Sequence, residues 1–232
     1  MGFYMTAYEV EQEHLRVMGA EMGPLFHRLY NECAWLQITW AQYVELFGTK
    51  PERIDLLNQA AGLFFRIVQD TLWENTLLSL TRLTDPPESG GKNNLTIRRL
   101  PTLLKEADRE EKEVERLVSN ANDATKFARD WRNRHIAHRD LSLSLGQGAE
   151  PLAPASRKQV KEAIDAVCNV IQRVYLIYLH SELRLGVMPP QLDGAESLVY
   201  VIRDGVEADE ARRKRLLDGK PHPEDLDAPR AV

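Results

Sequence analysis

Residues 156–174 read SRKQVKEAIDAVCNVIQRV. Val160, Ile164, Val167, Ile171 and Val174 recur there at steps of four and three, the period of a helix that buries one face. Ser156 stands just ahead of the first periodic residue, where a side-chain oxygen caps free N–H groups. The same period extends outward through the chain. After Gly23 and Pro24, the positions Leu25, Leu29, Leu36, Trp40 and Val44 form a wide apolar stripe that ends at Phe47 and Gly48. Thr49 and Pro51 open a second helix through Leu57, Phe64, Val68 and Leu78, stopped by Asp85-Pro86-Pro87. Its polar positions Asp55, Gln59, Arg66, Asp70 and Glu74 fall on a narrow stripe, so most of its circumference is expected to be buried. A third long helix is expected from about Asp108, carried by Val114, Leu117, Ala121, Ala124, Ala128 and Trp131.

No segment alternates like a strand and no repeat recurs. The expected fold is therefore all-α: an antiparallel four-helix-bundle core with additional short helices at the N- and C-termini. A short helix is expected near 97–104 and a further one over 195–217. Residues 88–94 and 141–154, rich in Gly, Asn, Ser and Pro, are expected as loops. One helical domain over 1–217 with its core at about 24–184 suits a 232-residue chain, and 218–232 reads as a disordered tail.

Hydrophobic residues make up 43% and charged residues 28%, a composition that excludes a chain disordered throughout. The formal charge of −5 means that any grip on a polyanion must come from a local basic surface. No basic-then-apolar leader is visible at the N-terminus, and the apolar stretch 167–179 is interrupted by Asn169, Gln172 and Arg173. A cytoplasmic protein that does not cross a membrane is the expectation. Cys33 and Cys168 lie far apart in sequence and read as reduced core thiols.

The densest polar chemistry lies at the end of the third helix. From Lys126 to Arg139 there are five cations, Lys126, Arg129, Arg132, Arg134 and Arg139, against the single acid Asp130, a local charge of +4. Such a terminus either complements the helix dipole or binds phosphate. Arg132 and His138 combine a permanent planar cation with the side chain that exchanges protons near neutral pH, which are the parts that metal-free RNA cleavage needs. Six positions at about 100° each would put the two roughly 240° apart on a continuous helix. Either the helix ends between them or the partners come from two subunits. His135 has the same spacing from Arg129, but it continues the stripe of Ala128 and Trp131 and reads as a packed histidine.

The segment Arg132-Asn133-Arg-His-Ile-Ala-His138, in an all-helical chain, resembles the signature of the HEPN superfamily: an Arg followed by a polar residue, with a His after a gap of four to six. Residues 77–85, LLSLTRLTD, and 132–140, RNRHIAHRD, are similar to the abortive-infection AbiU-like branch, over roughly 24–184. The resemblance implies a homodimer with two motif copies in one cleft. It also implies a metal-independent endoribonuclease of phage-defence (abortive infection) or toxin–antitoxin type, without cofactor or metal. Arg132 and His138 would be catalytic, and Asn133, Arg129, Arg134 and Arg139 supporting or RNA-binding. RNA and an antitoxin protein would be partners. Other members are catalytically silent, so a non-catalytic dimer that binds nucleotide, RNA or protein through the same basic cleft is the alternative. Asp140 occupies the place where one branch carries a modified Tyr, which argues against that form of regulation.

Three other clusters have plainer readings. Glu11-x-x-His14 is half of a di-iron spacing without its second half. Arg66, Asp70 and Glu74, like Arg82 and Asp85, read as ion-paired surface. Arg212-Arg213-Lys214-Arg215 is balanced by Glu207, Asp209 and Glu210 and reads as a solvated face.

Overall fold

The computed structural model describes residues 5–146, 148, 150–183, 185 and 194–226. In chain order these form α1 (Ala7–Phe47), α2 (Pro51–Leu83), a hairpin of β1 (Glu88–Ser89) with β2 (Lys92–Asn93) and a 3-10 turn at Ile97–Arg99. Then come α3 (Leu100–Glu106), α4 (Lys112–Ala124), α5 (Lys126–Trp131), a π-turn at Arg132–Ile136 and α6 (Leu141–Leu145). The series ends with α7 (Arg157–Leu179), α8 (Ala195–Leu217) and a 3-10 turn at Pro223–Asp225. The fold is all-α, with two antiparallel strands of two residues each as the only sheet among the described residues. Among the described residues no helix is long and apolar enough to cross a membrane.

The chain divides into two compact units, Met1–Trp40 with Leu72–Val187, and Ala41–Thr71 with Met188–Val232. In the first, α4 packs on α7, and Val160, Ile164, Val167, Ile171 and Val174 are all buried. They share this core with Phe26, Leu29, Leu36, Leu77, Leu80, Val114, Ala121 and Ala128. Ser156 caps α7 reciprocally: its hydroxyl accepts from Gln159 N at 3.2 Å, and its own N donates to Gln159 Oε1 at 2.8 Å. Cys33 and Cys168, 135 positions apart, meet inside this core. Their mutual hydrogen bond, followed by burial, pushes the Cys33 thiol well above its ordinary value.

The first helix starts earlier than the Gly23-Pro24 signal implies. Gly19, at φ 81°, interrupts α1, and a Cβ at Gly23 would sit 2.8 Å from Leu15 Cα and 2.9 Å from the His14 carbonyl oxygen. Eight residues along a straight helix span about 12 Å, so the segment before Gly19 folds back on the helix after it. His14 is buried by this reversal, with Nδ1 3.2 Å from His27 Nδ1 and its ring edge-on to Phe26, Tyr30 and Tyr175. The partner of His14 is thus a second histidine rather than the Glu11 of the half di-iron spacing.

The second unit departs from the expected buried helix. Ala61 (φ −163°, ψ 67°) breaks α2. Leu57 and Phe65 are buried, whereas Leu63, Phe64 and Ile67 are 79%, 59% and 56% exposed. The break rotates the apolar stripe, which a uniform 3.6-residue period could not anticipate. Arg66 and Asp70 do pair, at 3.0 Å. The expected tail carries structure as far as Leu226. Arg215 holds the Asp225 carboxylate at 2.6 and 2.7 Å, and Arg212 donates to the Asp225 carbonyl at 2.7 Å. The Arg215 bond, with the His222 N–H, keeps the Asp225 carboxyl far below the usual carboxylate range. Arg212 and Arg215 are therefore a clamp rather than a solvated face.

Two loops are also more regular than expected. Residues 88–94 close as a hairpin, because Gly90 and Gly91 adopt φ of 56° and 72°, the left-handed pair that a two-residue turn requires. Asp140 starts α6 by accepting from Leu143 N at 2.8 Å.

Candidate functional site

The third helix is not continuous. Thr125 turns its hydroxyl back to the Ala121 carbonyl at 2.9 Å and separates α4 from α5. At its end the backbone widens into a π-turn, with Ala137 N donating to the Arg132 carbonyl at 2.8 Å. A π-turn re-aims side chains and is frequent at functional positions. Residues 137 and 138 then bend out of the helix. The helix thus ends between the two motif residues, so Arg132 and His138 do not sit on one continuous helix.

Arg132 faces inward. Its Nη1 donates to Asp85 Oδ1 at 2.8 Å and Oδ2 at 2.9 Å, and its Nε to Asn133 Oδ1 at 3.1 Å. Both members of the ion pair are only about a quarter exposed, at 26% and 21%. Asp85 stands where α2 ends, on a pedestal of threonines. Thr96 Oγ1 lies within bonding reach of the Leu83 and Asp85 carbonyls, at 3.0 and 2.8 Å. Thr84 Oγ1 lies 3.0 Å from Thr125 Oγ1, which joins the end of α2 to the start of α5. Arg129 reinforces the joint, its Nη2 donating to the Thr84 carbonyl and hydroxyl at 2.9 Å each. Burial pushes the Arg129 guanidinium below its ordinary value; Asp85 opposes this, and the neighbouring cations Arg132 and Arg98 add to it. Arg129 and Arg132 thus share the field of Asp85, and Arg98 adds positive charge beside Arg129, an arrangement suited to a further anion.

His138 is the opposite case, exposed and without a hydrogen-bond partner among the described residues. Nothing among the described residues fixes its ring. The remaining cations of the motif are divided. Arg134 bonds Asp130 at 3.4 Å and the Pro151 and Glu150 carbonyls, and Asp130 and Trp131 grip Ala153 N and O at 2.8 Å each. Arg134 therefore ties down the 150–153 segment. Arg139 is exposed, with Nη1 3.4 Å from His135 Nδ1. His135 stands edge-on to Trp131, 5.6 Å between centroids, with Nε2 3.9 Å from Glu74 Oε1, and is partly exposed.

A cleft of about 280 Å³ opens beside this ion pair, lined by Glu32, Arg82, Leu83, Asp85, Asn94 and Leu95. Sequence reasoning left Asp85 as a helix terminus and missed Arg98 altogether. The only signal for Asp85 was the run Leu77–Asp85, and local spacing cannot reveal a partner 47 positions away.

The all-α fold with Arg132 and His138 at the end of a helix agrees with the HEPN class of helical proteins. More narrowly, residues 20–197 match the HEPN-type abortive-infection family AbiU2, and the chain is a member of that family. No curated protein and no solved structure showed a significant match.

Proposed function

We propose that this protein is a metal-independent endoribonuclease acting in abortive infection or as the toxin of a toxin–antitoxin pair. Arg132 and His138 would form a composite site at a homodimer interface. The observation that carries this reading is the contrast within the motif: a cation held at a cleft by Asp85, and an exposed imidazole six residues later with no partner among the described residues. In the reaction the ribose 2′-oxygen attacks the adjacent phosphorus and the P–O5′ bond breaks, giving a 2′,3′-cyclic phosphate and a 5′-hydroxyl. His138 transfers a proton to or from these oxygens, and Arg132 stabilises the charge that develops on the phosphoryl oxygens. Its Nη2 carries no bond among the described residues and is the edge offered to phosphate. Asn133 keeps Nε occupied, while Arg129 and Arg134 support the motif and Arg139 meets the RNA backbone. A second copy would bring its own motif into the same cleft, and RNA and an antitoxin protein are the partners.

A second reading, a non-catalytic HEPN dimer that binds RNA, nucleotide or protein, is favoured by one observation: Asp85 already occupies Arg132. Purified protein incubated with total RNA in EDTA separates the two. Cleavage by the wild type and none by Arg132→Ala supports the nuclease; intact RNA in both supports the binding module.

A further inference from the structure

The cleft beside Arg132 has features that the cleavage chemistry does not use. Three pieces of the first unit build it: Glu32 from α1, Arg82, Leu83 and Asp85 from the end of α2, and Asn94 and Leu95 after the hairpin. Its volume, about 280 Å³, lies at the small end of ligand sites and suits one flat heterocycle. Glu32 makes no hydrogen bond or ion pair among the described residues. Arg82 makes a single long bond, 3.3 Å to Ser79 Oγ. Both Asn94 Nδ2 protons are occupied, by the Pro86 carbonyl at 2.8 Å and Ser89 Oγ at 2.9 Å, which leaves Oδ1 as an acceptor. Leu95, which is exposed, supplies apolar surface, and Leu83 in the lining is buried. One turn further along α1 from Glu32, Trp35 is 65% exposed, a flat aromatic face of the kind on which unpaired bases stack. At Asp85 the cleft meets Arg132, so a nucleotide whose phosphate lies on that guanidinium has its base within reach of the cleft.

The polar groups select among bases. A free carboxylate needs adjacent donors, and a guanidinium needs adjacent acceptors. Guanine alone of the four RNA bases offers both: N1–H beside N2–H₂ on one edge, O6 beside N7 on the other. Adenine and cytosine present one exocyclic donor group, and uracil one ring N–H.

We propose that this cleft is a guanine-binding subsite, with Glu32 accepting from N1–H and N2–H₂ and Arg82 donating to O6 and N7, so that RNA is cleaved next to guanine. This rests on the nuclease reading, and the test keeps the two apart. Hexauridine oligoribonucleotides carrying one guanine, adenine or cytosine are incubated with the protein in EDTA. The wild type is expected to cleave the guanine oligomer about tenfold faster than the other two, the discrimination of one bidentate base contact. Glu32→Gln, which exchanges one acceptor for a donor at an exposed position, collapses that ratio to near one. Equal cleavage of all three oligomers by the wild type, or a guanine preference that survives Glu32→Gln, overturns the subsite. If no oligomer is cleaved, the nuclease reading fails by itself, and calorimetric titration with 5′-GMP and 5′-AMP decides. Tighter binding of 5′-GMP that Glu32→Gln removes upholds the subsite; equal binding of the two overturns it.

Discussion

Arg132 and His138 are six residues apart, yet they occupy opposite physical situations. Arg132 is braced by Asp85, Asn133 and, through Thr84 and Thr96, by the ends of two other segments. His138 stands on an exposed bend with no partner among the described residues. A cation that must meet charge developing on a phosphate gains from being fixed beforehand, because no reorganisation is then needed as the reaction proceeds. A proton-transfer group needs contact with substrate, and its second anchor can come from that substrate or from another copy of the chain. In the proposed site, one half would be complete within the chain, and the other would be finished by what binds to it.

The largest expected effect tests the open half. His138→Ala should lower metal-independent RNA cleavage by about 10²- to 10⁴-fold while circular dichroism and light scattering remain those of the wild type. Wild-type cleavage by this variant would remove His138 from the mechanism. His135→Ala, by contrast, loses an edge-on contact with Trp131 and should act on the melting temperature rather than on the rate.

The braced half should respond more gently. Asp85→Asn keeps the shape but removes the charge that orients Arg132, so kcat should fall on the order of tenfold with little change in KM. Asp85→Glu should restore part of the loss. The stability cost should stay near ~1 kcal/mol, as for a partly exposed ion pair. If Asp85→Asn instead raised the rate, the carboxylate would be a competitor for Arg132 rather than its brace.

Acid provides the smallest effect on activity and a limit on how a pH–rate profile can be assigned to His138. Burial first, then His27, lowers His14 from its ordinary 6.5 to about 4. Between these values the unfolded chain binds the proton and the folded chain does not, so stability falls as pH drops from about 6.5 to about 4 and levels off below that. Chemical denaturation should show a loss of up to about 3 kcal/mol over this window, absent in a His14→Gln variant. A flat profile would mean that the His14–His27 pair takes up a proton inside the fold.

Much of the architecture was legible from periodicity. The stripe through Val160, Ile164, Val167, Ile171 and Val174 is buried throughout, and Ser156 caps as its position implied. The expected third helix, in contrast, is divided by Thr125 and widened at Arg132, because hydroxyl-to-carbonyl bonds and an i→i+5 bond leave no trace in an apolar pattern. Phe64 shows the same limit: it fits the stripe of an unbroken α2, but the break at Ala61 turns it outward.

The sequence by itself determined that the chain is helical, where most helices lie, and that Arg132 and His138 end the third of them, since side-chain period and capping are local properties. It also identified the family resemblance that the match over residues 20–197 bears out. Only the tertiary structure decided that Asp85 braces Arg132, that Thr96 bonds the Asp85 carbonyl while Thr125 meets the neighbouring Thr84, that Cys33 meets Cys168, and that Glu32 and Arg82 share a cleft. Those partners lie from 11 to 135 positions apart in the chain, and most such contacts are selected by the packing of whole helices, which no local spacing encodes.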